Sequence, residues 1–144
     1  MRPEDPADEG RTLLQAAYAI QARAHAPYSG FRVGAALLDE QGRLHVGVNV
    51  ENASYGLTLC AERVAVFNAI AAGARRIRAL GVVGHSGRPL PPCGACRQVL
   101  AELADPDCSI WLDGGTAGPQ RHTLSALLPL AFQAAELMDP SSLP

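Results

Sequence analysis

The sequence predicts an α/β fold: a three-layer α/β/α arrangement around a mixed sheet of about five strands. Three observations carry this. Helical and strand periodicities follow one another along the 144 residues in the order αββαβαββ, with a last helical piece after them. Phe31 to Asp39 and Ile77 to His85 are apolar on both faces, as strands covered by helices on either side must be. Glu40-Gln41-Gly42-Arg43 is a turn that folds the first of these onto an alternating strand, Leu44 to Val50.

The elements follow in order. Residues Met1 to Gly10 are acidic, contain proline and lack an apolar core, so they read as a flexible tail before a single domain over 11–144. Arg11 to Ala26 spaces Leu13, Ala17, Ile20 and Ala24 as a helix does, and Pro27 ends it. In the second hairpin arm Leu44, Val46, Val48 and Val50 point one way. His45, Gly47, Asn49 and, where the strand runs on, Glu51 point the other, so an amide and a carboxylate leave the strand end side by side. A loop over 52–59 leads to a helix from Ala61 to Ala72, closed by Gly73. After the strand over 77–85 and a Gly/Pro loop, a third helix runs from about Gly94 to Ala104. Ser109 to Leu112 is a strand, 120–123 a short fifth one, and the Leu-Leu-Pro-Leu-Ala-Phe run a final helical piece. The last parallel pairs of strands require right-handed crossovers.

Composition narrows the function. Apolar residues make up 48% and charged residues 18%, an ordinary globular balance. Net charge is −2 with no basic run, which argues against nucleic acid as a partner. No apolar stretch is long enough to span a bilayer, and no export signal precedes the domain, so a cytoplasmic location is expected. In a reducing compartment, close cysteines point to metal or redox chemistry before disulfides.

Two segments concentrate that chemistry: Cys60-Ala61-Glu62-Arg63, and Pro92-Cys93-Gly94-Ala95-Cys96-Arg97-Gln98. Both place a cysteine at the start of a helix, where free N–H groups and partial positive charge favour thiolate. Cys93 and Cys96 can reach one ion, and Cys60 can supply a third sulfur from the neighbouring helix. Zinc is the metal such a donor set suits, one ion per chain. Three ligands leave a tetrahedral corner open to water, whose pKa zinc lowers to about 7. Glu62, two residues past Cys60, is placed to take that water's proton. Three sulfur anions need charge withdrawn, and Arg63 and Arg97 are the candidates, Arg63 first. Cys-x-x-Cys alone is also compatible with a redox pair or a structural zinc half-site. Cys108 is either a fourth ligand or a buried free thiol. The four histidines lack ligand spacing and read as surface or loop residues.

These segments, together with Pro27-Tyr28-Ser29-Gly30-Phe31-Arg32-Val33-Gly34-Ala35-Ala36, Asn49-Val50-Glu51-Asn52-Ala53 and Leu127-Leu128-Pro129 ahead of Phe132, resemble the small homotetrameric cytidine deaminases. The resemblance spans nearly the whole chain from Pro27. It implies hydrolytic deamination of cytidine and deoxycytidine to the uracil nucleosides, with release of ammonia and Glu62 as the catalytic acid–base. It also implies that Asn49 and Glu51 bind the ribose 3′-hydroxyl, that Phe31 lies against the nucleoside, and that the Ala61 N–H holds the pyrimidine O2. Tyr55 and Phe132 would enter a neighbouring subunit's site. The carbonyl of Pro91 would receive the departing amine; the family usually carries Ser or Thr there, and proline keeps its carbonyl. A sister deaminase acting on an aminopyrimidine nucleoside such as blasticidin S is the nearest rival, and a structural zinc protein is the rival of another class.

Overall fold

A computed structural model describes residues 5–138 and 141. Its elements are α1 (Pro6–Gln21), β1 (Gly34–Asp39), β2 (Leu44–Val48), α2 (Ala61–Ala71), β3 (Ile77–Val83), α3 (Gly94–Leu103), β4 (Ala104–Asp113), β5 (Pro119–Thr123) and α4 (Leu124–Leu127). Spatial order in the sheet is β2-β1-β3-β4-β5. The three layers and five mixed strands are those the periodicities predict.

The direction of the strands places the site. β1 is antiparallel to both β2 and β3, so those two run the same way with β1 between them. β4 is parallel to β3, and β5 turns back against β4. Among the described strands β3 and β4 are therefore the one hydrogen-bonded parallel pair, where the sequence predicts more than one. Because β2 and β3 point the same way, the chain leaves both at one end of the sheet, and α2 and α3 begin there.

Packing divides between the two faces. On one, Leu13, Leu14 and Ala17 of α1 bury Ala36, Ala79, Val83 and Trp111. On the other, Ala61, Ala65, Val66 and Ala69 of α2, Leu100 of α3 and Leu124 of α4 bury Leu37, Leu80, Val82 and Ile110. A side chain at position 47 would prevent this seating. A Cβ there would lie 2.3 Å from the Ala65 nitrogen and 2.6 Å from the Ala61 oxygen, so Gly47 lets the first turns of α2 rest on β2.

Several boundaries differ from expectation. The last helix, α4, ends at Leu127, so the Leu-Leu-Pro-Leu-Ala-Phe run leaves the helix after its first residue, ahead of Pro129, instead of forming the expected helical piece. Helix α1 starts at Pro6, so Asp5 to Gly10 are not tail. Asp5 caps the helix by accepting from the Ala7 N–H, Pro6 opens it, and Asp8 and Glu9 meet its positive end. Glu9 also accepts from the Trp111 indole, 3.0 Å away, which ties this first turn to β4. Residues 1–4 of the expected tail lie outside the described residues. The same helix stops at Gln21, short of Ala26, because His25 joins the sheet edge: its N–H bonds Asn49 O and its carbonyl accepts from Glu51 N. Strand β4 begins at Ala104, five residues before the predicted start, directly where α3 ends.

The hairpin holds a polar knot that periodicity does not reveal. Asp39 is inaccessible to solvent. Its carboxylate accepts from the Gln41 and Arg43 N–H groups, from Arg43 Nε at 2.8 Å, and meets His45 Nε2 at 2.9 Å. His45 is thus a largely buried partner of an acid, a correction to the reading of all four histidines as surface or loop residues. Burial by itself raises the Asp39 pKa, but these hydrogen bonds outweigh it and hold the carboxyl well below the ordinary range. The unfolded chain then binds the proton more readily than the folded one. Stability from this group is present above the ordinary carboxylate pKa and is lost as pH falls toward the folded value. We expect the melting temperature of the protein to drop on acidification below about pH 4. In Asp39→Asn that acid limb should be shallower, from a lower starting midpoint; an unchanged acid limb in thermal melts would remove Asp39 from the acid sensitivity.

Candidate functional site

The two helix starts meet. Cys60 is the N-cap of α2 and Cys93 the N-cap of α3, both with extended backbone, and Cys96 lies in the first turn of α3. The Cys60 and Cys93 sulfurs are 3.7 Å apart and those of Cys93 and Cys96 3.4 Å apart. All three sulfurs lie within 4.8 Å of one another, grading from exposed Cys93 to buried Cys96. No disulfide joins them. Cys108 sits apart on β4 with its sulfur buried in the core, where burial pushes the thiol up to about 12. It is no fourth ligand.

Charge around the sulfurs is arranged for anions. The neighbouring Cys96 thiol, and Arg63, whose Nη2 donates at 3.4 Å, hold the Cys60 thiol well below its usual pKa. Cys96, beside Cys60 and the more buried of the two, is correspondingly pushed up. Arg63 Nε is buried with no hydrogen-bond partner among the described residues. A guanidinium with a spare buried donor beside three sulfurs suits a cluster that carries more negative charge than one thiolate. The donor set, three soft sulfurs at two helix N-termini, fits zinc.

Glu62 follows Ala61 in the first turn of α2 and is only 4% exposed. Burial, then the charge of Cys60, raises its carboxyl pKa. Arg97 departs from expectation. It donates to Pro92 O at 2.7 Å and to Leu127 O at 2.6 Å, so it ties the Pro92-Cys93 loop to the end of α4 and touches no sulfur. One turn along, Gln98 donates to Phe132 O. The C-terminal segment is thereby fixed to the helix that bears two of the cysteines.

A second group of predicted residues gathers around the loop before β1. The buried Asn49 amide accepts from Val33 N at 2.9 Å and donates to Phe31 O at 2.8 Å. Glu51 receives the N–H groups of Tyr28 and Ser29 and the Ser29 hydroxyl. The Phe31 ring tilts against His85 with centroids 4.9 Å apart. Pro91 is exposed two residues before Cys93. Tyr55 is 75% and Phe132 56% exposed, and Tyr55 meets Tyr28 edge-on within this chain.

Residues 8–111 match the family described as the cytidine and deoxycytidylate deaminase zinc-binding region, a span that contains Cys60, Cys93, Cys96 and Glu62. The chain belongs to the cytidine deaminase family. It is 53% identical over 123 residues to a cytidine deaminase of Halalkalibacterium halodurans, covering 84% of this chain and 93% of that one. With a cytidine deaminase of Mycobacterium tuberculosis it shares 47% identity over 116 residues, covering 81% and 84% respectively. A crystal structure of cytidine deaminase from Burkholderia pseudomallei superposes with a TM-score of 0.79 at 48% identity, over 85% of this chain and 98% of that one. As a member of this family the chain is a zinc-binding hydrolase, and the three-cysteine cluster is where its residues can hold the metal. No helix of the described residues is long and apolar enough to cross a membrane.

Two features escaped the sequence reading. The Asp39–His45 pair has no motif; only an acid ending a strand that is otherwise apolar hinted at it. The Ser29 bond to Glu51 lies within the quoted Pro-Tyr-Ser-Gly segment, but spacing does not say which side chains face each other across 22 residues.

Proposed function

We propose that this protein hydrolyses the exocyclic amine of cytidine and deoxycytidine, releasing ammonia and the uracil nucleosides, with Glu62 moving the protons. The observation that carries this is a buried carboxyl two residues beyond a cysteine in a three-sulfur cluster at paired helix starts. Zinc bound there supplies a Lewis acid that lets a water lose its proton near neutrality. Glu62 would take one proton from the water and deliver it to the ring N3 as the water oxygen bonds C4. It would then take the proton of the new C4 hydroxyl and pass it to the amine, so that the C4–N bond breaks, ammonia leaves and a C4 carbonyl forms. Its surroundings support the role: a desolvated carboxyl binds a proton readily and gives it up only to a well-placed acceptor. Arg63 draws charge from Cys60.

The remaining residues sort by position. The Ala61 N–H is at the first turn of α2, where backbone donors have no partner within the helix, and we assign it to the pyrimidine O2. The carbonyl of Pro91, just before the cysteine loop, is assigned to the departing amine. Asn49 and Glu51 are assigned to the sugar 3′-hydroxyl, and Phe31 to the nucleoside face. Tyr55, Leu57, Leu130 and Phe132 are large apolar side chains left exposed in this chain. We assign them to contacts in a homotetramer, where they would complete a neighbour's site. Free, closely spaced thiols suit the reducing cytoplasm.

The test is direct. Mixing metal-replete protein with cytidine should produce the loss of cytosine absorbance and one ammonia per uridine formed. Full zinc content with no turnover of cytidine or deoxycytidine, but turnover of blasticidin S, would move the protein to the sister activity.

A further inference from the structure

The loop over 28–31 is built around one carboxylate. Glu51 Oε1 accepts from the N–H groups of Tyr28 at 2.9 Å and Ser29 at 3.1 Å, and Oε2 accepts from Ser29 Oγ at 2.5 Å. The same Ser29 oxygen accepts from Phe31 N at 3.0 Å. One hydroxyl therefore joins Glu51 to Phe31. Asn49 grips the other side of the loop through Phe31 O and Val33 N. Gly30 makes the tight turn possible: its φ is +68°, a left-handed conformation that side chains disfavour.

We propose that Ser29 is a positioning residue for sugar recognition, fixing the Glu51 carboxylate in the one orientation that meets a 3′-hydroxyl. The proposal rests on the reading of Glu51 as a sugar contact. A glutamate on an irregular segment after β2 has several rotamers, and choosing one costs side-chain entropy at every binding event. Two backbone donors hold Oε1 and the Ser29 hydroxyl holds Oε2, so it sets the rotation of the carboxyl plane. It also heads the interactions that keep this carboxyl below its usual pKa, so a substrate hydroxyl finds an ionised acceptor.

The experiment compares kcat/KM for deoxycytidine and 2′,3′-dideoxycytidine in the wild-type enzyme, Ser29→Ala and Ser29→Thr. A site built to bond a hydroxyl discriminates strongly against the analogue without it. The wild type should therefore prefer deoxycytidine by a large factor. Ser29→Ala should lose roughly tenfold or more on deoxycytidine and change little on the dideoxy substrate, with melting temperature and zinc content held. Ser29→Thr, which keeps the hydroxyl, should recover most of the preference. A wild type indifferent to the 3′-hydroxyl would overturn the sugar reading of Glu51 and this proposal with it. A discriminating wild type whose preference survives in Ser29→Ala, or a loss that is equal on both substrates, would overturn the Ser29 role alone.

Discussion

Glu62→Gln should bind zinc and nucleoside, keep its fold, and lose turnover by roughly three orders of magnitude or more. General acid–base catalysis contributes on the order of 10²–10⁴ per positioned group. Glu62 is asked to act at more than one proton transfer, so its loss should sit toward the upper end. The amide is nearly isosteric with the carboxyl, so the pocket at this 4% exposed position is not emptied. Stability should hold or rise slightly, because the substitution removes a carboxyl that burial and the Cys60 charge both strain. This combination separates catalysis from architecture: zinc content unchanged, melting temperature held or slightly raised, KM little moved, kcat collapsed. Near-normal kcat in a zinc-replete Glu62→Gln enzyme would take Glu62 out of the reaction.

What was legible in the sequence was whatever depends on local spacing. Cys93 and Cys96 must share one side of a helix start because they are three apart. Two both-face-apolar strands need helices on each side, and the structure supplies α1 on one and α2, α3 and α4 on the other. Helix α1 was misplaced for a local reason as well. Asp5-Pro6 followed by Asp8 and Glu9 opens the helix, and reading the proline and the acids as marks of a tail misses that signal. Its far end was lost to a tertiary contact, the pairing of His25 with the backbone beside Val50. Arg97 shows the remaining gap. Next to a metal ligand in sequence, it points along α3 toward Pro92 and Leu127 carbonyls, and only the fold decides which neighbour an arginine of that length serves.

Cys93→Ala and Cys108→Ala should fail in opposite ways, and the contrast tests the metal centre as a whole. Cys93 is exposed, so truncating it opens no cavity in the core and removes little packing. Any instability of that variant must come through the lost ligand. Removing an outer-shell partner of a bound zinc already costs about 10–100-fold in affinity, and removing a ligand should cost at least as much. Cys93→Ala should therefore be purified with little zinc and no measurable deamination, and added metal should no longer raise its melting temperature as it does that of the wild type. Cys108 is 3% exposed, lies in the core with Ile110, and is outside the three-sulfur group. Its truncation should cost about 1 kcal/mol of stability through lost packing while leaving one zinc per chain and full turnover. The deciding measurement is zinc stoichiometry beside the melting temperature for both variants. Full zinc in Cys93→Ala, or zinc lost from Cys108→Ala, would mean that the ion is held by a set of residues other than Cys60, Cys93 and Cys96.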